Sequence, residues 1–293
     1  MTITTTEAES TRAYRTPLWY WVVLALILAV LALTAIPAFT QAPHAPGIGD
    51  FFPAAIFGEG TLFEFNRLTL ARFIMGGLLC VVALLAVRNL SLVPGRGQAM
   101  MELIAEFIRG NIAVEMLGPK LGRRYAPYLA MAFMGILFMN ISGILPGINI
   151  AATSVVAVPM MFALFTYITF IGAGIRAQGA GHFFKSQLMP SGLPALMYLI
   201  ITPIEFLSNF VVRPVTLTLR LLSNMLVGHI LLGMSYFGTA VLLSELNAMT
   251  SVAALTGLAM VVMTVFEIFV AFLQAYIFTI LSAVYIKLSV ESH

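Results

Sequence analysis

The sequence predicts an all-α polytopic membrane protein with about six membrane-embedded helices and one amphipathic helix at the membrane surface. Three observations carry this prediction. Of the 293 residues, 60% are hydrophobic and only 9% are charged, whereas an ordinary soluble domain carries about 25% charged residues. Mean hydropathy is +1.00, and the apolar residues fall in runs near the ~20 residues that cross a hydrocarbon core. Most charges sit in the connections between those runs. The formal net charge of +3 does not indicate a nucleic-acid partner, because the basic residues are spread over loops and not massed on one face.

Residues 1–17 are polar, with Arg12 and Arg15 just before the first apolar run. They read as a cytoplasmic tail. Residues 18–38 read as an N-terminal transmembrane helix, since a secretory signal has an apolar core of only ~7–15 residues. Residues 39–293 form the remaining domain, whose first span is 68–87. The only cysteine, Cys80, falls in that span. It cannot form an intrachain disulfide and is expected to be a buried structural thiol. Next comes "RGQAMMELIAEFIRGNIAVEML". There Met100, Leu103, Ile104, Phe107, Ile108 and Ile112 recur at helical spacing, with Glu102, Glu106 and Arg109 opposite. An amphipathic helix over about 97–117 follows, lying on the inner membrane surface or packed against soluble partner domains.

Further spans are expected at 128–146 and 154–175. Two longer apolar stretches follow, at about 193–237 and 247–287. Each would measure ~60 Å or more as one helix, against a core of ~30 Å. Each is therefore strongly tilted or broken. Pro203 and Pro214 could kink the first, and the second has no proline. No internal repeat is visible. The 88–127 connection holds Arg88, Arg96, Arg109, Lys120, Arg123 and Arg124, and 176–191 holds Arg176 and Lys185. The other connections hold Asp50, Glu59, Glu64 and Glu245, with Arg67 as the main exception. Positive residues favour the inside, so both termini are expected to be cytoplasmic, with 39–67 and 238–246 outside.

The last third also carries Glu205, Arg213, Arg220, His229 and Glu267 within apolar sequence, with Asn224 and Gln274 as neutral polar groups. A charge at the bilayer centre costs ~2.5 kcal/mol or more, so such residues are functional candidates. At ~100° per residue, Arg213, Arg220 and Asn224 share a face, His229 points about 180° from Arg220, and Glu267 shares a face with Gln274. On a continuous helix Glu205 would lie about 60° from Arg220. Arginine is a permanent cation, whereas glutamate and histidine can relay protons. Relay groups on either side of a fixed cation suggest two proton half-paths separated by a barrier. The bland readings are a structural ion pair for Arg220, a hydrogen-bonded core histidine for His229 and interhelical hydrogen bonds for Asn224 and Gln274. Arg213 reads as structural, snorkelling or pairing with Glu205. The histidines are scattered without a cysteine pair, and no phosphate loop, HExxH or GxSxG occurs, so no metal, cofactor or hydrolase centre is expected.

The stretch "RPVTLTLRLLSNMLVGH" at 213–229 resembles the signature of subunit a of F-type ATP synthases. Arg220 falls on that family's essential arginine, Asn224 on its asparagine, and His229 on a position held by Glu or His. "PIEFLSNF" resembles the segment with an acid on the cytoplasmic half-channel, at Glu205. "FEIFVAFLQAYIFTILSAVYI" resembles the final helix, with Glu267 titratable and Gln274 facing the arginine. "FMNISGILPG" is similar to the third-span signature, and the likeness extends over about 64–293.

The resemblance implies a proton-translocating stator subunit whose last two helices form a tilted hairpin against the c-subunit ring. It implies an outer half-channel at Asn224, His229, Glu267 and Gln274, an inner one at Glu205, and Arg220 at the ring interface. The implied partners are the c-ring, b-type peripheral stalk subunits, the remaining ATP synthase subunits and membrane lipid. The chain alone would not be an enzyme, and its place would be a bacterial-type plasma membrane. It departs from the pattern in five ways, one of them Ser223 in place of the usual Gly or Ala-like small residue. His229 and Glu267 exchange the acid and histidine of other branches, which suggests that the two meet across helices. Glu205 stands one residue further from Arg213 and Pro214 than in many relatives. Gly143 falls where some relatives have an acid, and residues 18–38 match no core element. Outside the resemblance, a secondary transporter with a buried Arg–carboxylate gate is the alternative. It calls for a midplane substrate pocket.

Overall fold

The computed structural model describes residues 45, 47–58, 64–88, 95–145, 150–189, 194–244 and 250–291. The expected tail 1–17 and helix 18–38 lie outside them. A single 3₁₀ turn, Ile48–Phe51, opens the described chain. Its Asp50 carboxylate accepts a 2.9 Å bond from the Gly47 N–H. Strands β1 (Ala55–Phe57) and β2 (Phe65–Asn66) pair antiparallel. Asn66 then starts helix α1 (Arg67–Arg88): its Oδ1 accepts from the Thr69 N–H at 2.9 Å and the Thr69 hydroxyl at 3.0 Å. This satisfies an N–H that the first turn leaves orphaned.

The buried face of α1 runs through Leu68, Ala71 and Met75. Cys80 is exposed, which corrects the expectation of a buried thiol. It stands five residues past Met75, about 140° off the buried face. Beyond Arg72 the run is apolar on all sides, so its sequence pattern could not show which side faces the bundle.

Helix α2 (Arg96–Phe107) leads through a π-helical stretch, Ile108–Val114, into α3 (Glu115–Ile141). The expected continuous helix over 97–117 is thus two differently packed pieces. Met100 and Leu103 are exposed, whereas Ile108 and Ile112 are fully buried. The axis breaks at Gly118, with φ 76° and ψ 169°, a conformation open essentially to glycine alone. Four residues on, a Cβ at Gly122 would lie 2.6 Å from the Ala113 carbonyl oxygen, so the two segments close up backbone to backbone.

Helix α3 ends at Ile141, short of the predicted Pro146. The segment 150–154 folds back on this end: the Ser142 Oγ accepts from the Ala152 N–H at 2.9 Å, and the Thr153 hydroxyl donates to the Asn140 Oδ1 at 2.8 Å. Helix α4 (Ala157–Gln178) stops at Gly179, with φ 82°, and a short helix α5 (Ala180–Leu188) follows where the sequence suggested only a loop. Phe183 on α5 is fully buried. Helix α6 (Ala195–Phe206), a π-helical stretch (Leu207–Val212) and α7 (Arg213–Ser244) run on without leaving helical φ/ψ at their junctions. Neither Pro203 nor Pro214 breaks the path. Pro214 has no N–H for the Phe210 carbonyl, and the wider π turn lies just before it. Helix α8 (Thr250–Val290) is unbroken for 41 residues, or ~60 Å.

The core is built on α3. Leu129, Phe133 and Ile136 pack with Ile108 and Ile112, with Leu217 and Leu221 of α7, and with Phe278 and Ile286 of α8. Among the described residues, four segments are long and apolar enough to cross a membrane: Arg67–Leu85, Ala157–Gln178, Met197–Leu242 and Ala254–Val290. Their outward residues are mostly apolar; Leu199 is 78% and Leu255 66% exposed. That surface suits lipid.

Candidate functional site

Helices α7 and α8 form an antiparallel hairpin whose register is fixed by side-chain pairs along its length. Thr239 donates to Thr256 at 3.0 Å, Gly228 lies against Glu267, Asn224 bonds Gln274, and the Arg213 guanidinium sits 5.3 Å from the Tyr285 ring centroid. One face of α7 turns inward through Leu217, Leu221 and Met225, all buried. Arg220, Ser223, Asn224, Val227 and Leu231 form the outward stripe. Arg220 is exposed on that stripe, and no hydrogen bond or ion pair engages it among the described residues. A structural ion pair within the described chain, one of the bland readings, is therefore not what holds it.

On the side of Arg220 toward the hairpin turn, the Asn224 Nδ2 donates to the Gln274 Oε1 at 2.5 Å. Gln274 is buried, and its Nε2 has no partner among the described residues. Two turns further along, Glu267 is 5% exposed, and neither carboxylate oxygen has a hydrogen-bond partner among the described residues. A cavity of about 260 Å³ opens here, lined by Ser223, Asn224, Gly228, Met263, Phe266 and Glu267. It can hold several waters, each taking ~30 Å³ in the liquid.

His229 is the neighbour of Gly228 but turns away from this cavity. Its ring meets Phe51 edge-on, with centroids 5.3 Å apart, and its Nδ1 is buried without a partner among the described residues. Asp50 and Arg67 are the charges that act on it. Glu267 thus lies against Gly228, the residue before His229, but no direct bond joins the expected His229–Glu267 pair among the described residues. One group faces the Asp50 segment and the other faces the cavity.

Glu205 lies on the other side of Arg220, ~20 Å back along the helix. Its Oε2 accepts a 3.0 Å bond from the Asn209 Nδ2, and its charge acts on Arg213. The π stretch Leu207–Val212 stands between Glu205 and Arg213. A π turn absorbs one extra residue. The eight positions from Glu205 to Arg213 then act as seven α-helical steps, which puts the two within about 20° of each other and not about 80°. Arg213, expected to be structural, lies between Glu205 and Tyr285.

Arg72 was not singled out in the sequence. Its Nε donates to the Ala152 carbonyl at 3.2 Å. Its Nη2, the Asn140 Nδ2 and the Ser154 Oγ are all buried without partners among the described residues. The sequence signal was a charge five residues inside an apolar run; its partner lies 80 residues away. Among the described residues no group of three or more His, Cys, Asp or Glu side chains could hold a metal ion.

Together the fold and site define a membrane-embedded helical subunit that displays a permanent cation outward from a long hairpin, with titratable groups on both sides of it. Comparison with known proteins makes the assignment specific: the family described as ATP synthase A chain matches residues 69–287, and this chain belongs to it. Similar proteins named ATP synthase subunit a include that of Rhodococcus erythropolis, 36% identical over 250 residues and covering 85% of this chain and 91% of that one. The Frankia alni protein is 41% identical over 207 residues, 70% of this chain and 71% of its own length. The Paenarthrobacter aurescens protein is 35% identical over 271 residues, 91% of this chain and all of its own.

Proposed function

We propose that this chain is the proton-translocating stator subunit a of a rotary F-type ATP synthase, working in a bacterial-type plasma membrane with both termini on the cytoplasmic side. One observation carries the reading: Arg220 faces outward from the middle of a membrane helix, with no counter-charge among the described residues. An arginine costs ~2.5 kcal/mol or more at mid-bilayer, so the surface that covers this face must supply an anion. The carboxylate of a c-subunit ring meets that requirement. The peripheral stalk's b-type subunits and the remaining ATP synthase subunits complete the assembly, with lipid around it.

Protons enter from outside past His229, Asn224, Gln274 and Glu267; the cavity lined by Asn224 and Glu267 reaches the outward stripe. They neutralise a ring carboxylate, which can then face lipid. After nearly a full turn of the ring that carboxylate reaches Arg220. Coulomb attraction favours its ionised form, and the proton leaves toward the inside past Glu205. Because Arg220 is a permanent cation, it does not pass the proton on and keeps the two half-paths apart. ATP forms on other subunits, so this chain alone catalyses no reaction.

Arg220→Ala in inverted membrane vesicles is expected to abolish ATP-driven proton pumping while ATP hydrolysis persists at least in part. Pumping at the wild-type coupled rate would refute the assignment. Gentle purification of the chain should bring with it a ring of small two-helix proteolipids, which a secondary transporter would not carry.

A further inference from the structure

The geometry points to Asn209 as the positioning residue of the inner half-path: it biases which oxygen of Glu205 carries the proton and ties that carboxylate to the α5 segment. The inference rests on the reading of Glu205 as the inner relay group.

Asn209 lies within the π stretch and is 3% exposed. Its Nδ2 makes two bonds of 3.0 Å, one to the Glu205 Oε2 and one to the Gln187 main-chain carbonyl. An amide nitrogen has two hydrogens and no acceptor capacity, so both donors are committed. A carbonyl oxygen accepts that bond better than a hydroxyl oxygen does, so the bond to Oε2 favours a proton arriving at Glu205 on the other oxygen, Oε1. The amide has no proton to relay, so Asn209 acts through Glu205 and not as a carrier.

The far anchor is itself bonded to another helix. Gln187 is on α5, and its own Nε2 donates to the Leu288 carbonyl at the end of α8, at 3.4 Å. Gln178 holds the next two carbonyls, of Ser289 and Val290, at 3.1 and 3.2 Å. Phe183 packs α5 into the core. Asn209 thus links Glu205 to a point outside its own helix.

The test is a double-mutant cycle in the whole ATP synthase, assayed as ATP-driven proton pumping in inverted vesicles and normalised to the amount of this subunit assembled. Asn209→Leu keeps the approximate volume and removes both donors. Pumping is expected to fall about tenfold, the effect of losing one hydrogen bond to a charged group. In a Glu205→Gln background, Asn209→Leu should then cost nothing further, because its effect runs through the carboxylate. A purely structural clamp on α5 would instead lower both backgrounds by the same factor, and that result would overturn the proposal. So would wild-type pumping by Asn209→Leu alone alongside an impaired Glu205→Gln, which would leave the inner relay standing. Wild-type pumping by Glu205→Gln would remove the inner relay itself, and the inference with it. If Asn209→Leu does not assemble, the smaller Asn209→Ala runs the same cycle with the same outcomes.

Discussion

Gly228 is where the geometry of the outer relay can be tested most directly. A Cβ at this position would lie 3.0 Å from the Glu267 Oε1 and 3.5 Å from its Cδ and Cγ. Carbon contacts settle at ~3.5–4.0 Å, so alanine must push the carboxylate by ~0.5 Å, and leucine by more than ~1 Å. A misplacement of ~1 Å can cost ~10²-fold in rate. On that scale Gly228→Ala should slow ATP-driven proton pumping about tenfold and Gly228→Leu about a hundredfold. Assembly should not fall in parallel, because replacing glycine inside a helix gains up to ~1 kcal/mol of helix propensity. The assay is initial pumping rate in inverted vesicles against subunit content, with Glu267→Gln as the comparator, itself expected to impair pumping less than Arg220→Ala. If Glu267→Gln is impaired while both Gly228 variants pump at the wild-type rate, the carboxylate does not need its observed place. It then works equally well displaced into the adjoining cavity, and the reasoning fails.

Two further outcomes follow from the packing. Gly122→Ala would set its Cβ 2.6 Å from the Ala113 oxygen and 2.7 Å from the Val114 Cα; these are backbone atoms, so the closure of the π stretch onto α3 must open, at a cost of ~1–3 kcal/mol. A lowered thermal midpoint of the detergent-solubilised complex is expected, and an unchanged midpoint would contradict it. Gln178→Leu removes the donors to the Ser289 and Val290 carbonyls, so the end of α8 should fray and trypsin should cleave faster at the exposed Lys287. Equal digestion rates would show that these caps do not hold the helix end.

The site residues were legible because charge is expensive in an apolar run. Glu205, Arg220, His229 and Glu267 stood out by cost alone, and spacing placed Asn224 with Arg220. Their surroundings were harder to read. Helices α6 to α8 are apolar on nearly all sides, so periodicity could not say which face is inward. The exposed Cys80 on α1 is the same failure. The π stretch at Leu207–Val212 has no sequence signature of its own, so the continuous-helix angle for Glu205 is out of phase with the structure. Helix α5 is short, and its Gln187 bonds the Leu288 carbonyl, about a hundred positions away. Arg72 reaches equally far, to Ala152. Contacts of that range are set by tertiary packing, which local pattern does not encode.

The two sides of Arg220 are tuned by backbone features and not by further charges. Toward Glu205 an additional residue is absorbed in a π turn, which returns the carboxylate to the face of Arg213 and presents Asn209 to it. Toward Glu267 a missing Cβ at Gly228 lets a carboxylate sit against helix α7. Toward Glu267 this keeps a titratable group against the Arg220 stripe without a fixed charge beside it, whereas Glu205 is held two turns beyond Arg213 and acts on that arginine. A second permanent cation there would compete with Arg220 for any anion on the covering surface, and a nearer acid would neutralise Arg220 before that anion arrived. At ε ≈ 20 two unit charges 4 Å apart interact by ~4 kcal/mol, more than enough to keep Arg220 paired internally. The absence of a bonded partner for Arg220 among the described residues is therefore matched by how its neighbours are held. Each acid is fastened elsewhere, one by Asn209 and one by close packing, and the outward cation is left for whatever passes across that face.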